Sequence, residues 1–416
     1  MFERLFQKAF TITRHKKAPY APERERYLEH CAGQGYSSSL LRQMSGMLLR
    51  IAHELKDCPD LRVSEEQIQA ATQRAIRRPR GFRKIRKVRA FRKTFARETR
   101  RWLRFLGRFR ESGVKPLPFA NLLDDFASWM ERERGLSSAT IKSRRWHIAV
   151  FLHWFSEQGR SISSIRLSDV DAFQVACKTR GLSRIAIKNH TNGIRVFLRY
   201  AGSRGWCFSS IAEGIQGPRI YAQEDLPGGP SWDEIKRLVA SLDTDRPVDI
   251  RGRAIIMLFA IYGLRASEVS RLRLEDVDWE HDHLVVPRYK QRHSQPYPLA
   301  PAVGNAIARY LKEVRPKCTR RELFLTLLAP RRPMSCGGLY SVVARQLQRL
   351  GIKSWPHRGP HALRHACAAH LLSEGFTLKE IGDHLGHRSP SATRIYAKVD
   401  LAGLREVATF DLGGVL

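Results

Sequence analysis

The chain has 416 residues, which exceeds what one ordinary hydrophobic core holds and indicates two or three domains. It carries 73 lysines and arginines against 40 aspartates and glutamates, a formal net charge of +33. This excess excludes a protein that meets only small neutral ligands. It predicts a polyanionic partner, either nucleic acid or a membrane surface.

The apolar segments do not support a membrane protein. The longest apolar run, Ala254 to Leu264, is well short of the roughly 20 residues that a spanning helix needs. Residues 1–17 lack the continuous apolar core of a secretory signal, and the seven cysteines are scattered with no CxxC pair. We therefore expect a cytoplasmic protein with reduced thiols, whose polyanionic partner is nucleic acid.

Residues 1–112 are predicted to form a basic helical extension. Residues 74–110 contain seventeen lysines or arginines and one acid, Glu98, and their apolar residues recur at mostly helical spacing. This pattern predicts one basic amphipathic helix. A solvated face is the ordinary interpretation of a charge run, but like charge at this density favours contact with phosphates. Four of its cations are candidate DNA ligands: Arg83, Lys84, Arg86 and Lys87.

Residues 116–204 are predicted to form a compact helical bundle. Three segments with apolar residues at helical spacing are separated by turn signals at glycines, and serines in LSSAT and LSRIA are predicted N-caps. Cations on these helices are candidate DNA contacts, namely Lys142, Arg144, Arg145, Arg184 and Lys188. Residues 205–230, rich in proline and glycine, are predicted to be a linker.

A third domain is predicted over residues 231–400. It opens with a capping box, followed by a buried helix and a break before a second helix that begins near Ala266. Arg265 and Glu268 are three residues apart, so the carboxylate can orient the guanidinium; an ordinary surface ion pair is the alternative. Further on, HLVV and PYPL predict two strands around a basic loop that holds Lys290. A lysine in a loop is by itself a weak signal.

The stretch PHALRHACAAHLL places polar side chains on an otherwise amphipathic helix. His361 and His365 have the i, i+4 spacing that can hold zinc. However, Arg364 on the same turn would repel a divalent cation, and no further ligand completes the set. A metal site is therefore not predicted, whereas a structural polar cluster and half of a catalytic centre both stay open. Tyr396, nine residues after His387, would by itself most often be a core residue.

Taken together, the motifs GLRASE, YKQRHSQPYPL, HALRHACAAHLLSEG and LGHRSPSATRIYAKV resemble the tyrosine site-specific recombinases of the phage integrase family in order and spacing. The resemblance covers residues 231–400 and extends to the helical domain before them. It implies a mainly α fold, with a SAM-like helical core-binding domain and an α+β catalytic domain that is mostly helical with a small antiparallel sheet. The two domains would enclose double-stranded DNA like a clamp.

The resemblance implies that Tyr396 is the nucleophile that forms a 3′-phosphotyrosine link, so that neither metal nor ATP nor another cofactor is needed. Arg265 and Arg364 would hold the non-bridging phosphate oxygens. The other roles implied are a general acid, Lys290; a residue that assists proton removal from the tyrosine, His361; a hydrogen-bond donor to phosphate, His387; and two supporting residues, Glu268 and His365.

The resemblance also implies assembly and location. Recombination joins two sites, so a homotetramer on DNA is expected at synapsis, with partner recombinases or accessory proteins as further candidates, in a cytoplasmic, nucleoid-associated setting. Residues 401–416 would form a terminal helix or tail, packed on its own domain or on a neighbouring protomer. Residues 1–112 would bind further DNA or a partner recombinase. Two alternatives stay open: a type IB topoisomerase, and a basic architectural DNA-binding protein without catalysis.

Overall fold

The structure is a computed structural model, and it describes residues 1–58, 62–77, 85–110, 118–220, 228–288, 293–352, 359–387 and 389–399. The chain divides into two compact units, one made of Met1–Phe109 with Asp225–Leu416 and the other of Arg110–Glu224. No helix in the described ranges is long and apolar enough to cross a membrane.

The N-terminal part of the first unit is helical. Its elements are α1 (Phe2–Leu5), α2 (Ala9–Lys17), α3 (Ala21–Gly33), α4 (Ser38–Glu54), β1 (Val63–Ser64), α5 (Glu65–Arg77), α6 (Ile85–Phe105) and β2 (Phe109–Arg110). The two short strands pair with each other. Phe95, Trp102 and Leu103 of α6 are fully buried in a core shared with α3 and α4.

The prediction that one basic helix spans residues 74–110 is wrong. Helix α5 ends at Arg77 and α6 begins at Ile85, so two helices share the charged run. Pro79 and Gly81 stand between them in the sequence, and both residue types disfavour a continuous helix. The amphipathic character of the run is confirmed by α6, which buries aromatic side chains on one face and exposes cations on the other.

The second unit is a helical bundle. It consists of α7 (Ala120–Arg132), α8 (Ser138–Ser156), α9 (Leu167–Thr179), α10 (Arg184–Ser203) and α11 (Ile211–Gly214), with a 3-10 turn at Ile162–Ser164. Ser137 and Ser183 cap α8 and α10 with side-chain hydrogen bonds, which confirms the predicted caps. Phe126, Phe151 and Phe197 form the centre of its core.

Residues 231–399 contain a helical domain with one small sheet. The elements are α12 (Trp232–Ala240), α13 (Pro247–Ile261), α14 (Ala266–Val269), a 3-10 turn (Leu274–Asp276), β3 (Val277–Asp278), β4 (His283–Arg288), β5 (His293–Pro298), α15 (Pro301–Arg309) with a π-helical turn (Tyr310–Val314), α16 (Cys336–Arg349), α17 (Pro360–Ser373), α18 (Leu378–Leu385) and two further 3-10 turns (Pro390–Ala392 and Arg394–Val399). The sheet is antiparallel in the order β3-β4-β5. Arg288 at the end of β4 pairs with His293 at the start of β5, next to the loop of the predicted hairpin.

Helix α13 is the centre of this domain. Every residue from Ala254 to Ala260 is buried, because other elements cover the helix on all sides. After the helix the chain turns at Gly263, whose φ of +56° is accessible to glycine at little cost. A β-carbon there would lie 2.3 Å from Leu385 Cδ2, so glycine also permits α18 to pack against the turn. Two residues after this turn, Arg265 reaches the carbonyl of Gly386 at the C-terminal end of α18.

Candidate active site

Arg265 is held by its own first helical turn. It is the N-cap of α14, where its backbone N–H donates to Glu268 Oε2 at 2.7 Å and its Nη1 donates to Glu268 Oε1 at 2.9 Å. Its Nη2 donates to the carbonyl of Gly386 at 3.0 Å. The pairing of Arg265 with Glu268 that their spacing predicted is therefore confirmed. The guanidinium is fixed in direction while part of it stays accessible.

Arg364 lies on α17 and is almost completely buried. Its Nη1 donates to the carbonyl of Gly263 at 2.5 Å and its Nη2 to the carbonyl of Leu385 at 3.0 Å. Burial, followed by the nearby Arg265 guanidinium, lowers the pKa of Arg364 to about 10, which still leaves it charged at neutral pH. Two backbone carbonyls thus orient a buried charge beside Arg265.

Tyr396 is also buried, with 2% of its surface exposed. It packs with Cys367, Ile381 and Leu385. Burial raises the pKa of Tyr396 to about 12, although the Arg364 charge acts in the opposite direction. The hydroxyl is therefore protonated at neutral pH in the absence of DNA.

The imidazole that reaches this hydroxyl is His365 and not His361. The Tyr396 hydroxyl lies 2.9 Å from His365 Nδ1, within hydrogen-bonding distance. His361 is one helical turn earlier on α17, and its ring centroid is 5.5 Å from that of His365. Sequence reasoning gave His365 only a supporting role, because spacing on a helix does not reveal which ring faces a tyrosine thirty residues later.

His387 follows the end of α18. Its Nδ1 lies 2.7 Å from the hydroxyl oxygen of Thr393, which is itself buried. Burial, followed by the surrounding guanidiniums of Arg364 and Arg265, lowers the pKa of His387 to about 4. The ring is therefore neutral at pH 7. A neutral imidazole can donate one hydrogen bond to an anion without adding charge.

A third arginine, Arg288, completes the cluster and was missed by sequence reasoning. It is 2% exposed, and its Nη1 forms an ion pair with Glu268 Oε1 at 2.7 Å. Burial would raise the pKa of Glu268, but the Arg265 backbone N–H and the Arg288 and Arg265 guanidiniums lower it overall. The strand pattern carried a signal for Arg288: residues alternate between faces in β4, and Leu284 and Val286 face the core with it.

Two models of domain families match this chain. The model of the phage integrase family matches residues 231–402, and the model of the phage integrase N-terminal SAM-like domain matches residues 123–205. A putative integrase/recombinase of Sinorhizobium fredii, y4rA, is 38% identical over 277 residues, which are 66% of this chain and 67% of that protein. A second one from the same organism, y4gC, is 40% identical over 45% of this chain and 97% of its own length.

The chain belongs to the phage integrase family. It is a site-specific tyrosine recombinase, an enzyme that cleaves and rejoins DNA. Among solved structures, XerH site-specific recombinase bound to a palindromic difH substrate matches 69% of this chain and 83% of that chain, with a TM-score of 0.55 and 21% identity. This likeness agrees with the predicted fold class, a mainly α protein with a small antiparallel sheet.

Some predicted site residues of the recombinase lie outside the described residues. Lys290 follows β4 by two positions and is one of them, as are Arg83, Lys84 and the tail at 401–416. Arg86 and Lys87 belong to α6, but their side chains are not described. Among the residues that are described, no group of three or more histidine, cysteine, aspartate or glutamate side chains could hold a metal ion.

The predicted DNA-binding cations of the helical bundle have different surroundings. Lys142 and Arg184 are exposed, whereas Arg144 and Lys188 are half-buried. Arg145 forms an ion pair with Asp124 at 2.6 Å and donates to the carbonyl of Leu123 at 3.2 Å. A phosphate contact by Arg145 would therefore compete with a carboxylate.

Proposed function

We propose that this recombinase cleaves DNA by attack of the Tyr396 hydroxyl oxygen on the scissile phosphorus. The new bond joins phosphorus to the tyrosine oxygen, and the bond from phosphorus to the 5′ oxygen breaks. The phenol proton passes to a base, and the departing 5′ oxygen takes up a proton. Because one phosphodiester replaces another, the reverse reaction with a new 5′-hydroxyl end rejoins the DNA without an energy source.

The hydrogen bond between the Tyr396 hydroxyl and His365 Nδ1, at 2.9 Å, carries this proposal. It joins the predicted nucleophile to a proton acceptor, beside the buried charge of Arg364. We assign the first proton transfer to His365, with His361 as the alternative that the family resemblance implies. A phenol with a pKa of about 12 needs such a base, since only roughly one molecule in ten thousand is ionised at pH 8.

The scissile phosphate would bind to Arg265 and Arg364. Arg265 donates to the carbonyl of Gly386 and Arg364 donates to those of Gly263 and Leu385, so both guanidiniums are bound at the C-terminal end of α18. The negative charge that accumulates on the non-bridging oxygens in the transition state would be stabilised there. His387 would donate a further hydrogen bond, and Lys290 would protonate the departing 5′ oxygen.

The nucleophile must become accessible before it reacts. Tyr396 is buried, and a buried hydroxyl cannot reach a phosphate. We propose that DNA binding and assembly expose it. The family resemblance supports a homotetramer at synapsis, with partner recombinases or accessory proteins as further candidates, and a mobile genetic element as the setting.

We propose that α6 supplies a further DNA-binding surface. Arg89, Arg92 and Lys93 are exposed on α6, whereas Phe95 and Trp102 of the same helix are buried, and within the described ranges no carboxylate pairs with the three cations. Unpaired cations on a rigid helix attract phosphates and release counterions when they bind. Replacing these three by glutamine should weaken DNA binding and flatten its dependence on salt. A matched control replaces cations of the same region that are paired with acids: Lys16, Arg74 and Arg97.

The test of the proposed reaction compares wild type with Tyr396→Phe. Cells that carry the native element are lysed into SDS, protein-linked DNA is recovered, and its ends are sequenced. An adduct that requires Tyr396 and ends at one short sequence supports site-specific cleavage by this residue. Adducts scattered over the genome would favour a topoisomerase, and the absence of any adduct despite salt-sensitive DNA binding would favour an architectural protein.

A further inference from the structure

The side chain of Arg288, a residue of the small sheet, is bound to several residues around the active site. It ends β4, and its side chain is buried. Its Nη1 is paired with Glu268 Oε1 at 2.7 Å, its Nε donates to Gln295 Oε1 at 3.1 Å, and its Nη2 donates to the Tyr297 hydroxyl. A buried guanidinium carries a large desolvation penalty, so an aliphatic residue like Val286 would serve the core better at this position.

The partners of Arg288 lead to the segment that carries His387. The Tyr297 hydroxyl donates to the carbonyl of His384, and Gln295 Nε2 donates to the carbonyl of Asp383 at 2.9 Å. Gly386 lies directly against the guanidinium, since a β-carbon there would be 2.6 Å from Arg288 Cζ. One side chain thus links the hairpin to the C-terminal end of α18.

Arg288 also determines how Glu268 acts on Arg265. Both guanidiniums bind the same oxygen of Glu268. If Arg265 were the only partner of Glu268, the carboxylate would neutralise the positive charge of Arg265 that attracts a phosphate. With Arg288 present, the group of two guanidiniums and one carboxylate keeps a positive charge, and Arg265 stays oriented.

We propose that Arg288 is a positioning residue that fixes Arg265 through Glu268 and the His387 segment through Tyr297 and Gln295. Arg288 does not touch the DNA; it keeps the phosphate clamp in place and cationic. This inference rests on the proposed function, in which Arg265 holds the scissile phosphate.

The experiment measures single-turnover formation of the covalent adduct on a nicked DNA substrate that traps cleavage, at saturating enzyme. It compares wild type, Arg288→Met and Arg288→Lys on a normal scissile phosphate and on a neutral methylphosphonate at the same position. Arg251→Met is the matched control. Arg251 is a buried arginine of the same domain whose Nη1 donates to the carbonyl of Leu325 at 2.8 Å, and it has no contact with Glu268. Affinity for DNA and thermal unfolding are measured for every variant.

For Arg288→Met we expect a loss of about hundredfold in the cleavage rate on the phosphate, with DNA affinity close to that of wild type. The loss should be much smaller on the methylphosphonate, because a neutral phosphorus centre needs the cationic clamp less. Arg288→Lys should recover part of the rate, because it keeps the charge beside Glu268 without the fork that reaches three partners. It also supplies the test if Arg288→Met does not fold.

Equal losses on both substrates, or a loss matched by Arg251→Met, would assign Arg288 to stability alone and overturn the inference, as would cleavage at the wild-type rate. Failure of the proposed function gives a different result, since wild type itself would then form no adduct at Tyr396.

Discussion

Replacing His365 and His361 separately decides which imidazole takes the proton of Tyr396. The substitutions are His365→Asn and His361→Asn. Among the side chains that the structure describes, His365 is the one within hydrogen-bonding distance of the hydroxyl, at 2.9 Å. General base catalysis contributes about 10²–10⁴-fold in enzymes, so we expect His365→Asn to slow cleavage by at least roughly hundredfold at pH 7. The loss from His361→Asn should be smaller.

The pH dependence gives this prediction a second and independent readout. Without a base, cleavage depends on the fraction of Tyr396 that is already ionised. The ionised fraction of a phenol increases about tenfold with each pH unit below its pKa, and this holds for the ordinary value of 10.0 as well as for the value of about 12 to which burial raises the pKa of Tyr396. The rate of His365→Asn should therefore rise with a slope near one on a logarithmic scale between about pH 7 and pH 9, also after DNA binding exposes the tyrosine, and the wild-type rate should rise less steeply.

The assay is covalent trapping on a nicked substrate at saturating enzyme, with DNA affinity measured alongside. A wild-type rate for His365→Asn, together with a roughly hundredfold loss for His361→Asn, would refute the assignment and restore the role that the family resemblance implies for His361. A fall in DNA affinity that accounts for the whole loss would also refute it.

Three further predictions concern stability. Gly263→Ala should lower the free energy of unfolding by about 2–5 kcal/mol in urea titrations, because φ is +56° and the new β-carbon would lie 2.3 Å from Leu385 Cδ2; an unchanged midpoint would contradict the packing described. The pKa of Tyr396 is raised from 10.0 to about 12 on folding. The stability that its protonated hydroxyl gives the folded state is therefore fully present below pH 10 and is lost as the pH rises through 12. Wild type should lose about 2–3 kcal/mol more than Tyr396→Phe over that interval, and parallel curves would contradict the burial. The pKa of His387 is lowered from 6.5 to about 4, so folding loses stability as the pH falls through that window; His387→Asn should be less acid-sensitive, and equal sensitivity would count against a buried neutral ring.

The sequence predicted the elements of the catalytic domain well because their signals are local. The capping box at Ser231 and Glu234 is present, and the hairpin around Lys290 begins and ends where HLVV and PYPL indicated. The pairing of Arg265 with Glu268 also follows from a spacing of three residues at a helix start. These features depend on the order of a few neighbouring residues and need no tertiary information.

The features that the sequence did not predict depend on contacts between distant segments. The hydrogen bond between His365 and Tyr396 joins residues on α17 and on the last 3-10 turn, and the ion pair of Arg288 with Glu268 joins a strand to a short helix. The alternation in β4 shows that Arg288 faces inward, but only the fold shows what it meets there. The separation of α5 from α6 is not visible in the charge pattern, which continues across Pro79 and Gly81, although both residue types disfavour a continuous helix.

The arginines of the site are anchored in a way that suits a phosphate. Arg364 binds the carbonyls of Gly263 and Leu385, and Arg265 binds that of Gly386. A carbonyl oxygen accepts a hydrogen bond without a full negative charge, so it fixes the direction of a guanidinium and leaves its charge available. Carboxylates in the same places would fix the guanidiniums equally well, but their negative charges would cancel the positive potential that attracts a phosphate. Among the described residues of the site, the carboxylate of Glu268 is paired with both Arg265 and Arg288, so the three guanidiniums and this carboxylate together keep a net positive charge that attracts an anion.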